Sequence, residues 1–187
     1  MIKLLKAGFF RLKKDVVFWL FIFLTIGLAI FTLFRHEETK LDVLINEFIM
    51  YTGLLIAIFV SIFVGKEHSQ GIIRNKIIVG HSRISIFFSN LIISIITSIL
   101  CEIIYLVLVF LIGIPLFGQM QMPLSQFALV ILNTILVIIS FCSIFNFIAM
   151  ICSEITISTT ICIILFIAMY VAQGSFGLIA NSNKYIN

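Results

Sequence analysis

Five apolar runs constrain this chain more than anything else in it. They occupy residues 16–34, 48–64, 84–113, 124–151 and 157–179. At about 1.5 Å per residue in a helix, each approaches or exceeds the roughly 30 Å of a bilayer's hydrocarbon core. Inside hydrocarbon the backbone must satisfy its own hydrogen bonds, so such runs form helices or closed barrels. A barrel strand would alternate apolar and polar residues, and these runs are continuous. Composition agrees: the chain is 62% hydrophobic and 11% charged, whereas soluble domains are about half apolar and a quarter charged. The expected fold class is therefore an all-α membrane protein, a polytopic helix bundle forming a single transmembrane domain over residues 1–187. The second run could also start as early as Leu41.

Charge between the runs sets the expected topology. Lys3, Lys6, Arg11, Lys13 and Lys14 precede the first run, and Lys66, Arg74, Lys76 and Arg83 lie between the second and third. Residues 35–47 hold Arg35 and Lys40 against Glu37, Glu38, Asp42 and Glu47, and residues 114–123 are uncharged. Lys and Arg collect on the cytoplasmic side. The amino end and residues 65–83 are thus expected inside, in a multi-pass protein of the plasma membrane. Residues 152–156 form an inner turn and residues 181–187 an outer tail. The formal charge of +4 speaks of topology and anionic lipid rather than nucleic acid. A cleaved signal peptide does not fit: residues 16–34 are too long for its apolar core, and no small-residue cleavage site follows.

Two basic segments are amphipathic. In residues 1–14, Ile2, Leu5, Phe9 and Leu12 fall on one side of a helical wheel and Lys3, Arg11 and Lys14 on the other. That pattern suits a helix lying in the headgroup plane. In residues 65–83, Ile72, Ile73, Ile77 and Ile78 recur at helical spacing, Ser69 can cap a helix start, Gly71 allows a close approach and Gly80 can end the turn. A short surface helix and a solvated loop that merely fixes topology both fit. Glu67 could pair with Arg74, at little gain if both are exposed.

Polar groups inside the runs mark one face of the third. Asn90, Ser94, Thr97, Ser98, Cys101 and Tyr105 lie within about 100° of one another, with Glu102 on the shoulder. Small and hydroxylated residues suit close helix packing or a watered path. Glu102 must be protonated, paired or facing water, because an ionised carboxylate in hydrocarbon is costly. Asn133 and Ser140 share a face of the fourth run and Asn146 lies on another. Cys101, Cys142, Cys152 and Cys162 match no metal spacing and are expected as free thiols. His36, His68 and His81 are too scattered for a metal site. No phosphate-binding glycine loop, HExxH or GxSxG is present, so nucleotide chemistry would belong to another chain.

The stretch KEHSQGIIRNKIIVGHSR, residues 66–83, entered from one apolar run and left into another, resembles the loop between the second and third helices of ABC-2 type transporter permeases. The basic opening, residues 1–14, is similar to that family's interfacial helix. The resemblance implies a coupling helix that docks on an ATP-binding subunit, with Glu67, Gly71, Arg74, Asn75 and Lys76 at the matching positions. It implies two permeases, as a homo- or heterodimer, working with two ABC ATPase subunits. ATP and magnesium would sit on those subunits, so this chain would be no enzyme by itself and hold no cofactor. The family has six spans, so a five-span chain has either lost the last helix or continues beyond the sequence given. The implied function is export of a hydrophobic or amphipathic substrate, such as a bacteriocin-like peptide, a lipid or a drug. Ser94, Thr97, Ser98, Glu102 and Tyr105 are the candidate substrate path. The alternatives are a non-transporting membrane anchor or regulatory subunit, and an ion-coupled carrier using Glu102.

Overall fold

The computed structural model of the chain describes residues 2–35, 41–118, 122–152 and 154–184. Among these the chain is entirely helical: α1 (Ile2–Lys14), α2 (Val16–Arg35), α3 (Leu41–Ser69), α4 (Ile72–Ile78), α5 (Arg83–Phe117), α6 (Leu124–Ile151) and α7 (Ile155–Lys184). Five of them, α2, α3, α5, α6 and α7, are long and apolar enough to cross a membrane. Their order alternates direction. The starts of α2, α5 and α7 gather with the ends of α3 and α6 at one end of the bundle, and α1 and α4 lie there too. We call this the basic end.

Helix α3 takes the earlier of the two starts the sequence allows, Leu41, because residues 41–52 hold neither proline nor glycine and the helix propagates through their polar members; several other boundaries differ from those read from the sequence. Asp42 and Glu47 are therefore helical, and the remainder of the expected outer loop, residues 36–40, lies outside the described residues. At its other end α3 runs through Gly65–Ser69, so the first quarter of the expected coupling loop is helix. The third span continues to Phe117 with Pro115 inside it, and Gly118 ends it at φ 83°. The last helix continues to Lys184, through most of the expected polar tail.

Helix α3 is the hub. In an 18-residue stretch of Tyr51–Ser69, 67% of residues are buried, against 11–33% in the corresponding stretches of the other four spans. It packs on α2, α4, α5, α6 and α7. Lipid chains are as apolar as leucine, so helices associate in a bilayer through close packing and polar contacts. Accordingly α3 presents small residues every four positions: Gly53, Ala57, Ser61 and Gly65 are all buried. A Cβ at Gly53 would clash with the Phe166 ring, and one at Gly65 would come 3.3 Å from the Ile155 Cα. Between them, the Ser61 hydroxyl lies 3.2 Å from Thr159 Oγ1. This small-residue seam brings α7 against α3. Over Gly53 Phe141 meets Phe166 edge-on at 5.9 Å, and on another face Phe21 stacks on Phe59 at 4.6 Å. The outer faces of the bundle carry exposed Trp19, Phe23, Phe31, Leu111, Leu132 and Ile164, as a lipid-facing surface requires.

Helix α1 is rotated about a quarter turn from the wheel expectation. Its buried side is Leu4, Gly8 and Leu12, whereas Leu5 and Phe9 are half-buried and Phe10 is exposed. Gly8 decides this: a Cβ there would strike the Ile93 side chain, so α1 approaches α5 by its smallest residue rather than its most apolar face. The rotation turns Arg11, expected on the solvent side, into the bundle.

Candidate functional site

Glu67 sits near the end of α3 with 1% of its side chain exposed. Burying a lone carboxylate costs several kcal/mol, so it must collect donors. Three arrive from three different helices. Arg11 Nη1 of α1 and Lys76 Nζ of α4 each donate to Oε1 at 2.6 Å, and Asn90 Nδ2 of α5 donates to Oε2 at 2.7 Å. Charge-assisted bonds of this kind are short and roughly twice as strong as neutral ones. Arg11 is fixed further by donating from Nη2 to the Phe63 carbonyl at 3.0 Å, and its guanidinium lies 4.9 Å from the Phe63 ring centroid. Beside this cluster Lys66 donates to Asp15 Oδ1 at 2.8 Å, tying α3 to the α1–α2 junction. Burial acts to raise the Asp15 pKa. The Lys66 bond, the Val17 N–H and the charges of Lys66 and Arg11 outweigh it and hold the carboxyl below its ordinary 3.8.

The chain turns from α3 into α4 at Gly71, whose φ of 68° is left-handed. Nothing lies within 4 Å of where its Cβ would be. Within this chain, then, the glycine serves the turn and not a close approach. Ser69 does not cap α4 either; it is the last residue of α3, and its hydroxyl donates back to the Lys66 carbonyl at 3.3 Å. The cap of the next element is Ser82, which accepts from the Ser85 N–H at 3.2 Å. Helix α4 then lies with Ile73 buried against Leu4 and Ile86 and Lys76 turned towards Glu67. Ile77 and Ile78, expected on its buried side, are exposed.

The five expected coupling residues therefore divide. Glu67 and Lys76 bond each other inside the fold, and the expected Glu67–Arg74 pair does not form. Arg74 and Asn75 are exposed, and among the described residues their side chains have no hydrogen-bond partner. Gly71 supplies the elbow between the two groups. The cluster also recruits Arg11, Lys66, Asp15 and Asn90, which sequence reasoning assigned to a solvent face, a topology signal, no role, and a packing stripe. Asn90's place on the polar face of α5 was the one signal that could have drawn it in.

The rest of that polar face is held between helices. Ser94, Thr97, Ser98, Cys101 and Tyr105 are all buried. Thr97 donates to the Ile93 carbonyl at 2.8 Å, and Ser98 lies 3.6 Å from Cys142 Sγ. Tyr105 donates to the Leu44 carbonyl at 3.0 Å, with Thr32 Oγ1 3.4 Å away. Glu102 is buried beside Thr52, which hydrogen-bonds it, while its Oε2 has no partner among the described residues. Within one copy of the chain these residues pack helices together. In α6, Ser140 bonds its own helix at Leu136, and Asn146 reaches the Phe87 carbonyl at 3.3 Å. The chain matches no protein-family model, no curated protein and no solved structure.

Proposed function

We propose that this chain is the membrane subunit of an ATP-driven exporter and that α4 is the element gripped by a separate ATPase. One observation carries the reading. A short surface helix, whose Arg74 and Asn75 side chains have no partner among the described residues, is locked, through Lys76 and Glu67, onto α1, α3 and α5 at once. A push on α4 would therefore be passed to two spans and the interfacial helix as a rigid unit. Such coupling suits a mechanism in which ATP-driven closure of two ATPases tilts the spans of a permease dimer. Arg74 can offer two parallel bonds to a carboxylate on the partner. An amphipathic peptide, lipid or drug is the cargo class in keeping with so apolar a bundle.

The test is co-purification of an ATP-binding cassette chain with the tagged protein from its native host. Arg74→Glu and Asn75→Trp leave the Glu67 cluster untouched, and each should insert normally yet lose the ATPase. Desolvated interface charges cost about 2–5 kcal/mol when one partner is cut, roughly thirtyfold or more in association. Lys13→Ala, on the exposed side of α1, is the control. Full retention of the ATPase by both variants, or none retained by the wild type, would overturn the proposal.

A further inference from the structure

Below α4 the structure holds a cavity of about 490 Å³, within the usual size range of small-ligand sites. Its polar wall is Arg74, Arg83 and His68, and its floor is Ile73, Ile77 and Met150. Among the described residues no acid lines it. Of the nearby acids, Asp15 is already used by Lys66 and Glu67 by Arg11 and Lys76, and Glu154, four residues from Met150, is exposed and does not line the cavity. Two guanidiniums thus face one space without a counter-charge.

The cavity also straddles a boundary. Arg83 is the first residue of the α5 span. The residue after it, Ile84, is 70% exposed, and Phe88, one turn further along the same face, is exposed as well. At the other edge Ile78 and Val79 are 73% and 76% exposed. Two lining residues, Arg83 and Ile78, thus adjoin exposed apolar residues, and those on α5 begin a track along the outside of the bundle. A ligand that fits has an anionic, hydrogen-bond-accepting head and a hydrocarbon tail.

We infer that this cavity binds an anionic phospholipid, its phosphate between Arg74 and Arg83 and an acyl chain along Ile84 and Phe88. Guanidinium groups match phosphate oxygens in pairs, and basic pockets between helices at a membrane surface select anionic headgroups. An acidic segment of a soluble partner would satisfy the arginines but leave the Ile78, Val79 and Ile84 edge uncovered. The inference needs only that the chain lies in a bilayer; where the ATPase of the exporter reading takes up Arg74, Arg83 alone keeps the phosphate.

Native mass spectrometry of the full chain in detergent, titrated with phosphatidylglycerol and with phosphatidylcholine, tests it. The wild type should retain phosphatidylglycerol in preference. Each lost arginine should weaken that preference about fivefold, from roughly 1 kcal/mol per basic residue near a membrane surface. Arg83→Gln and the double variant with Arg74→Gln should therefore fall in steps, while Arg83→Lys keeps most of the preference. Among the described residues neither arginine side chain has a hydrogen-bond or ion-pair partner, so the variants should unfold as the wild type does. Arg83→Gln should also leave ATPase co-purification intact, which separates this result from the exporter reading. Equal retention of the two lipids, or a preference untouched by both substitutions, would overturn the assignment. So would displacement by millimolar inorganic phosphate or by a soluble acidic peptide.

Discussion

Removing the Glu67 carboxylate tests the central contact of the basic end. In Glu67→Ala, Arg11, Lys76 and Asn90 lose a shared acceptor. Cutting one member of a buried ion pair costs about 3–5 kcal/mol, because the remaining charge is stranded. Arg11 and Lys76 are 23% and 15% exposed, so both regain some hydration and the expected loss is at the lower bound, about 3 kcal/mol. That is more than a hundredfold in the folded-to-unfolded ratio. Arg11→Ala removes one of three donors and should cost less, about 1.5–3 kcal/mol for a charged hydrogen bond. The double variant should fall short of the sum by about 1–3 kcal/mol, as contacting residues do. Unfolding by sodium dodecyl sulfate in mixed micelles measures this, followed by circular dichroism and by Trp19 fluorescence. Trp19 is the lone tryptophan, and its indole N–H donates to the Lys13 carbonyl at 3.1 Å, so it reports on the α1–α2 junction. A loss below 0.5 kcal/mol in Glu67→Ala, the range of ordinary surface changes, or strictly additive single variants, would refute the cluster as a structural tie.

Three further outcomes are expected. With Cys152 replaced by serine, a cysteine at Gln70 should resist an impermeant thiol reagent added to sealed cells and one at Ser125 should react; the reverse pattern would invert the topology. Gly65→Leu should destabilise by about 1–3 kcal/mol through overpacking against Ile155, whereas Gly27→Leu, with open space around it, should be tolerated in the same unfolding assay. Because the folded pKa of Asp15 is depressed, its stabilisation is fully present above the ordinary carboxylate value of 3.8 and is lost as pH falls through the lower folded one. Asp15→Asn should therefore flatten the acid limb of the stability profile, and an unchanged limb would argue against the Lys66 pair.

The existence and order of the long helices were legible because apolar runs in a bilayer have almost no other solution. Their ends were less so. Helices α3 and α7 carry on through polar residues to Ser69 and Lys184, since nothing in those stretches breaks a helix. The facing of α1 was hidden because it depends on one contact, Gly8 with Ile93, that a helical wheel cannot contain. The seam on α3 was readable in principle from Gly53, Ala57, Ser61 and Gly65 at intervals of four. The charge cluster was not, since its members are 56, 9 and 23 residues from Glu67 and meet only after the chain has doubled back. Sequence distance favoured Arg74 as the partner of Glu67; the bend at Gly71 gave that place to Lys76.

That separation also orders events in time. Arg11 is synthesised 56 residues before Glu67, and Asn90 follows Glu67 by 23. A nascent chain that has inserted only α2 and α3 carries Glu67 at the membrane edge with its amide donor still unmade. Helix α1 can dock by its buried face only when Ile93 of α5 is also present. The contact between the oldest and the newer segments thus closes late, once the head of α5 has left the ribosome. Until then only Arg11, on Glu67 and the Phe63 carbonyl, and the Asp15–Lys66 pair tie the amino-terminal helix to α3, and the half-made bundle lacks the packing of α1 on α5.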